Sequence, residues 1–232
     1  MSVFKLYYNC VSPPCRTVHM VTKALKLNVK LIDVDILTQR YLEQLQNVNP
    51  QHTIPVLNDT GFILWDSHAI SAYLVNRYGP QKLYPEETKL RALVDQRLHF
   101  DSGILYPTLR KIIVPIMFFN RFGLSKMDVI KIKQCYEFMD IFMGKSSIWL
   151  CGDEMTIADL SCLSTVSTMD MMYPIKEDEY PNLKRFLRNG ERLPYYNDIN
   201  LNGLNKLSSV IQQKFIKHKE EKEFSGGSKT KL

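Results

Sequence analysis

Val3-Phe4-Lys5-Leu6-Tyr7-Tyr8, followed three residues later by Ser12-Pro13-Pro14-Cys15-Arg16, is the stretch that decides the fold. The apolar run reads as a strand, and Val18, Val21 and Leu25 open a helical pattern directly after the prolines. Prolines suit a first helical turn, where an N–H has no partner to lose and the fixed φ matches the helix, so Ser12 falls at or near the N-cap. Its hydroxyl then faces the positive end of the helix, a position that favours an anion. On Ser12 alone an anion-holding site and an ordinary capped helix weigh equally, because serine is a preferred cap in either case.

The layout is similar to the redox loop of thioredoxin, with a serine where the attacking cysteine of Cys-x-x-Cys would stand. A serine cannot carry out disulfide exchange. It can hold and ionise the thiol of another molecule, which points away from a redox protein and towards a transferase with a thiol co-substrate. The punctuation that follows keeps the thioredoxin-like order. Residues 29–34 read as the second strand and 40–48 as the second helix. Val56-Leu57-Asn58 and Phe62-Ile63-Leu64-Trp65, joined by Asp59-Thr60-Gly61, read as a hairpin, and Asp66-Ser67 caps a third helix with Ile70, Tyr73 and Leu74 on its apolar face.

Tyr78-Gly79-Pro80-Gln81-Lys82-Leu83-Tyr84-Pro85 breaks the periodicity and marks a boundary. The expected organisation is an α/β N-terminal domain, thioredoxin-like, over 1–79, a linker over 80–86, an all-α domain over 87–218, and a flexible tail over 219–232. Helices are expected at 87–119, 126–143, 157–171, 182–192 and 204–218. Pro115 should kink or interrupt the first of these near 111–114. Thr156-Ile157-Ala158-Asp159 has the form of a capping box, and its expected role is to start a buried helix rather than to do chemistry.

At 232 residues and 45% apolar side chains the chain can bury one large core or two smaller ones. The five scattered cysteines form neither a secreted disulfide framework nor a paired zinc spacing, so reduced thiols, no metal and a cytoplasmic location are expected. No apolar run approaches the roughly 18 residues of a membrane span. The net charge of +6 is spread among acids, which argues against a nucleic-acid surface and leaves a mild field favouring small anions.

Ser12-Pro13-Pro14-Cys15-Arg16, Asn49-Pro50-Gln51-His52-Thr53-Ile54-Pro55, Asp66-Ser67-His68-Ala69-Ile70 and Thr156-Ile157-Ala158-Asp159-Leu160 stand in this order. Together they resemble the insect cytosolic glutathione transferases of the delta/epsilon group over about residues 3–196, with the Asp-Ser-His-Ala-Ile form and Leu98-His99-Phe100-Asp101-Ser102-Gly103 on the epsilon side. The resemblance implies a glutathione-binding N-terminal domain, a helical domain that supplies an apolar acceptor pocket, and a homodimer with contacts around Tyr73 and Phe100.

The resemblance also implies residue roles. Ser12 would stabilise the glutathione thiolate. Thr53, Ile54 and a cis Pro55 would present the Ile54 backbone to the glutathione cysteine; His52 would hold the glycine carboxylate; Asp66 and Ser67 would hold the γ-glutamyl end, with His68 and Arg110 adding positive character. Tyr41 falls where many relatives carry a second histidine and would donate one uncharged hydrogen bond instead. Val11, Tyr106, Ile113, Phe118, Phe119 and Leu207 would line the acceptor pocket, although at helical spacing such residues are more often plain core. A non-catalytic carrier of hydrophobic ligands on the same fold is the alternative, which Tyr41 favours and Ser12 with the complete motifs opposes.

Overall fold

The computed structural model describes residues 4–36, 38, 40–144 and 147–226. The N-terminal region runs β1 (Phe4–Tyr8), α1 (Pro13–Ala24), β2 (Val29–Asp33), α2 (Arg40–Leu45), β3 (Val56–Asp59), β4 (Phe62–Trp65) and α3 (Ser67–Tyr78). Its sheet has the order β2-β1-β3-β4, with β1 and β2 parallel and the other two pairs antiparallel. Between β3 and β4 the two turn residues Thr60 and Gly61 both have positive φ, 51° and 102°, the handedness that matches strand twist in a tight hairpin. The Asp59 carboxylate then accepts the hydroxyls of Tyr73 (2.6 Å) and Tyr78 (2.7 Å) and ties the hairpin to α3.

Pairing register decides where the site forms. Tyr8 faces Asp33, Tyr7 faces Val56, and Val56 faces Trp65. The chain leaving β1 towards Ser12, the chain entering β3 through Ile54-Pro55 and the chain leaving β4 towards Asp66-Ser67 therefore share one end of the sheet.

The C-terminal region is helical: α4 (Thr88–Phe100), α5 (Tyr106–Phe118), α6 (Lys126–Met143), α7 (Ile157–Met172), α8 (Pro181–Glu191) and α9 (Asn202–Gly226). The helix expected over 87–119 is divided by a π-turn at Asp101–Leu105. Pro107 has no N–H to return to the carbonyl of Gly103, and the chain resets its register with Tyr106 N–H bonding the Asp101 carbonyl. The interruption expected at Pro115 does not occur, since α5 continues through it to Phe118. A second π-turn, Asn197–Leu201, leads into α9, which passes the expected end at His218 and is helical to Gly226.

Two cores meet at α7. One lies within the helical region and includes Leu109, Tyr136, Met139, Leu163, Val166 and Phe186. The other joins Leu6, Val18, Val21, Leu57 and Ile70 of the sheet domain to Leu98, Ile157 and Leu160 of the helices. α7 contributes to both and is buried from Ile157 to Met169, so the junction between the two regions is itself hydrophobic core.

His19, on α1, stands edge-on to Tyr8 at 5.3 Å between ring centroids, with its Nδ1 buried and unpaired among the described residues. Burial, aided by Lys23, lowers its pKa to about 4. The unfolded chain therefore binds a proton below about 6.5 that the folded chain refuses until about 4, and stability falls as pH drops through that window. Allowing for solvent access to the ring, His19→Phe is expected to remove about 1–2 kcal/mol of the acid-induced loss. Urea midpoints of wild type and variant at pH 7 and pH 4.5 measure it, and an equal loss in both proteins would refute the assignment.

Candidate active site at the domain junction

Ser12 is the N-cap of α1, with φ −83° and ψ 117°, and its hydroxyl makes no capping bond. Pro14 contributes to this, because it removes the N2 N–H, one of the two that a capping serine can accept. Its backbone is fixed on both sides: Ser12 N–H donates to the Asn9 carbonyl at 3.1 Å and Arg16 N–H to the Ser12 carbonyl at 3.1 Å. Asn9 anchors the loop further, donating from Nδ2 to the Val34 carbonyl (3.0 Å) and accepting Val11 N–H (3.1 Å). Neighbouring Cys15 is fully buried, and burial pushes its thiol up to about 12 against the lowering effect of the Ser12 hydroxyl. Cys15 is thus a neutral, inert thiol at pH 7 that shares a side-chain hydrogen bond with Ser12, whose hydroxyl makes no capping bond.

Ser12 opens onto an apolar cleft of about 110 Å³ that also touches Val11, Tyr106 and Ile113. Leu207 of α9 closes one side, and Arg110 and Phe118 stand at the edge. Burial raises the Tyr106 phenol to about 12, so it remains a neutral hydroxyl. Phe119 is not part of this wall: it sits one residue past the end of α5 and is 74% exposed. Leu109, Val114 and Met117 line the cleft instead, with Ile36 and Pro13. The signal for them was the helical spacing 106, 109–110, 113, 117 on α5.

At the same end of the sheet the Ile54–Pro55 bond is cis. Asn49, fully buried, shapes the preceding loop by donating to the carbonyl (2.9 Å) and hydroxyl (3.0 Å) of Thr53 while accepting Gln51 N–H (2.9 Å). The loop leaves His52 with φ 51° and its Nδ1 buried without a protein partner among the described residues. Asp66 has φ 75° and caps α3, its Oδ1 accepting the N–H groups of His68 (2.9 Å) and Ala69 (3.0 Å). Ser67 follows at the first turn. Tyr41 belongs to the backbone of α2, and its side chain lies outside the described residues.

His68 points elsewhere. Its Nε2 meets Asp101 Oδ2 at 3.1 Å and Ser161 Oγ at 2.8 Å, and the Ser161 hydroxyl donates to the same Asp101 oxygen at 2.6 Å. Burial acts to lower the imidazole pKa, but the Asp101 hydrogen bond and charge, with Asp66, outweigh it and raise the pKa. The ring thus joins α3 to the helical region rather than reaching the cleft. Among the described residues no group of three or more His, Cys, Asp or Glu is placed to hold a metal ion.

A thioredoxin-like sheet domain joined to a helical bundle, with a serine at the N-cap of α1 lining a largely apolar cleft at the junction, places the chain among two-domain enzymes that offer a polar site beside an apolar one. The family model for the glutathione S-transferase N-terminal domain matches residues 6–82, and that for the C-terminal domain matches 105–194. Glutathione S-transferase 1 of Manduca sexta is 42% identical over 216 residues, 91% of this chain and 99% of the relative. An epsilon-class glutathione S-transferase from the housefly Musca domestica superimposes with a TM-score of 0.87 at 35% identity, covering 91% of this chain and 98% of that one. A glutathione transferase homologue of Drosophila mojavensis, solved with bound glutathione, gives 0.85 at 33% identity, covering 92% and 98%. The chain belongs to the glutathione S-transferase family and is an enzyme of its insect delta/epsilon group.

Proposed function

We propose that this enzyme joins the glutathione thiolate to apolar electrophiles, with the Ser12 hydroxyl donating a hydrogen bond to sulfur. The observation that carries this reading is that Ser12 leaves its hydroxyl out of helix capping and lines a cleft whose other residues, Tyr106 and Arg110 apart, are apolar. The polar half of the site would consist of His52, Thr53, Ile54 and Pro55 on one side and Asp66 and Ser67 on the other, with Tyr41 near the glycine end. Asp66 would meet the γ-glutamyl ammonium and Ser67 its carboxylate at the start of α3. Arg110, at the cleft edge, would add positive charge; His68, held by Asp101, would act through the placement of α3.

Lowering the thiol pKa by about two requires about 2.7 kcal/mol of preference for the anion. A hydrogen bond to a charged group supplies about 1.5–3 kcal/mol. The helix start adds about 0.3–2 kcal/mol, near the low end here because two of its N–H groups are replaced by prolines. Ser12 would therefore provide most of the effect. The test is the ultraviolet thiolate absorbance of bound glutathione against pH in wild type and Ser12→Ala. A depressed thiol pKa that returns towards the free value in the variant is expected, whereas binding with an unshifted pKa in wild type would defeat the mechanism. The same proposal includes detoxification or endogenous lipid processing as the role, a cytoplasmic setting and a homodimer. Exposed Phe62 on β4, its ring 5.2 Å from that of Tyr73, supports a contact face there; Phe100 is taken up by Phe138 and Phe142 inside its own chain.

A further inference from the structure

A second apolar cleft, about 210 Å³, lies behind the first and is lined by Ile116, Leu124, Met171, Ile211 and Phe215, with Ser208 and Gln212 as its polar members. The two clefts share their elements: Met117 of α5 and Leu207 of α9 face the cleft at Ser12, while the adjoining Ile116 and Ser208 face the one behind. What separates them is a small cluster in which Met171 and Ile211, from the rear cleft, pack against Met117 and Leu207. Both methionines are unbranched and adapt their shape at little cost. Phe215, at its lining, meets Phe122 at 5.1 Å, and Phe122 stacks on His218 at 3.8 Å.

Volume decides what this can accommodate. An apolar cavity of about 150 Å³ takes a single benzene ring, so the 110 Å³ cleft at Ser12 is filled by less than that, and the rear cleft holds somewhat more. We infer that the rear cleft is an extension of the acceptor site that receives the tail of an unbranched alkyl electrophile, threaded between Met117 and Met171. A slender chain can push the two methionine side chains aside; a fused ring system cannot without displacing Leu207, which is 1% exposed. This rests on the transferase reading above and names its acceptor class.

The test uses linear alk-2-enals of increasing length with glutathione. In that reaction the thiolate sulfur bonds to the β-carbon, the C=C pair shifts to the bond between the α-carbon and the carbonyl carbon as the C=O pair moves onto oxygen, and a proton from water added at the α-carbon restores the aldehyde. In wild type, kcat/KM should rise about fourfold for each methylene buried and keep rising after the front cleft is full. Ser208→Trp, filling the rear cleft, should stop the rise early and leave the shortest enal within twofold; Met171→Ala, opening the partition, should prolong it. Urea midpoints establish that both variants are folded. The same length dependence in wild type and both folded variants overturns the extension while the transferase reading stands. No turnover of even the shortest enal, with the thiolate absorbance present, overturns the acceptor reading and the extension with it.

Discussion

Arg16→Ala is expected to lower the free energy of unfolding by about 3–5 kcal/mol. Arg16 is fully buried, and all five of its N–H donors are used. Nε meets Asn200 Oδ1 (2.9 Å); Nη1 meets the carbonyls of Cys10 (3.1 Å) and Val11 (3.2 Å); Nη2 meets the Ser164 carbonyl (3.1 Å) and Thr168 Oγ1. No carboxylate is among these partners. Burial pulls the guanidinium down to about 10, so it is still charged at pH 7, held by carbonyl and hydroxyl dipoles from three regions of the chain. Alanine would leave five acceptors dry at about 1–3 kcal/mol each, of which relaxation and entering water recover a fraction. Lysine, with three donors and no planar fork, should rescue little.

On the proposed mechanism the consequence extends to the reaction, because the Cys10 and Val11 carbonyls belong to the loop that leads into Ser12. Gly203 shows how closely that loop is held: a Cβ there would lie 2.3 Å from the Cys10 carbonyl oxygen and 2.5 Å from Arg16 Cδ. Arg16→Ala should therefore raise the pKa of the bound glutathione thiol as well as shift the urea midpoint. A loss of less than about 1 kcal/mol would mean that the interior replaces these bonds easily, contrary to the geometry.

The sheet domain was legible because its punctuation is local. Prolines after Ser12, Thr60-Gly61 in the hairpin and Asp66 before α3 each act within a few residues, and the order of elements along the chain follows from them. The limits of α6 were legible for the same reason, since Ser125 and Asp128 form a capping box and Gly144 ends the helix with φ 54°. The π-turns were not, because a one-residue change of register leaves the apolar pattern on either side nearly intact. Polar residues whose partners are remote were also missed. Arg16 finds Asn200 and Ser164 across the domain junction, and His68 finds Asp101 and Ser161, pairings that no spacing along the chain encodes. Of the residues that the family resemblance implies, Val11, Ser12, Tyr106, Arg110, Ile113, Phe118 and Leu207 line the cleft, whereas Phe119 lies outside it because the end of α5 falls one residue before it.

Asp159→Ala is expected to cost about 3 kcal/mol, and the reason lies in where α7 sits rather than in the cap alone. Asp159 is fully buried at the third position of α7. One carboxylate oxygen accepts Thr156 N–H (2.7 Å) and its hydroxyl (2.8 Å); the other accepts Leu150 N–H (2.7 Å) from the chain preceding the helix. Burial raises its pKa to about 6 despite these donors, so the carboxylate is ionised at neutral pH. Exposed helices lose about 0.5–2 kcal/mol with a cap. Here two backbone N–H groups would also be stranded in the interior, at about 1–3 kcal/mol each before relaxation. Asp159→Asn keeps the shape but turns an amide N–H₂ towards one of these donors, so it should recover only some of the loss. Because α7 carries both cores, a fall in urea midpoint with an unchanged slope is expected for the whole chain in one transition. Separate unfolding of the helical region in Asp159→Ala, with the sheet domain intact, would contradict a core shared through α7.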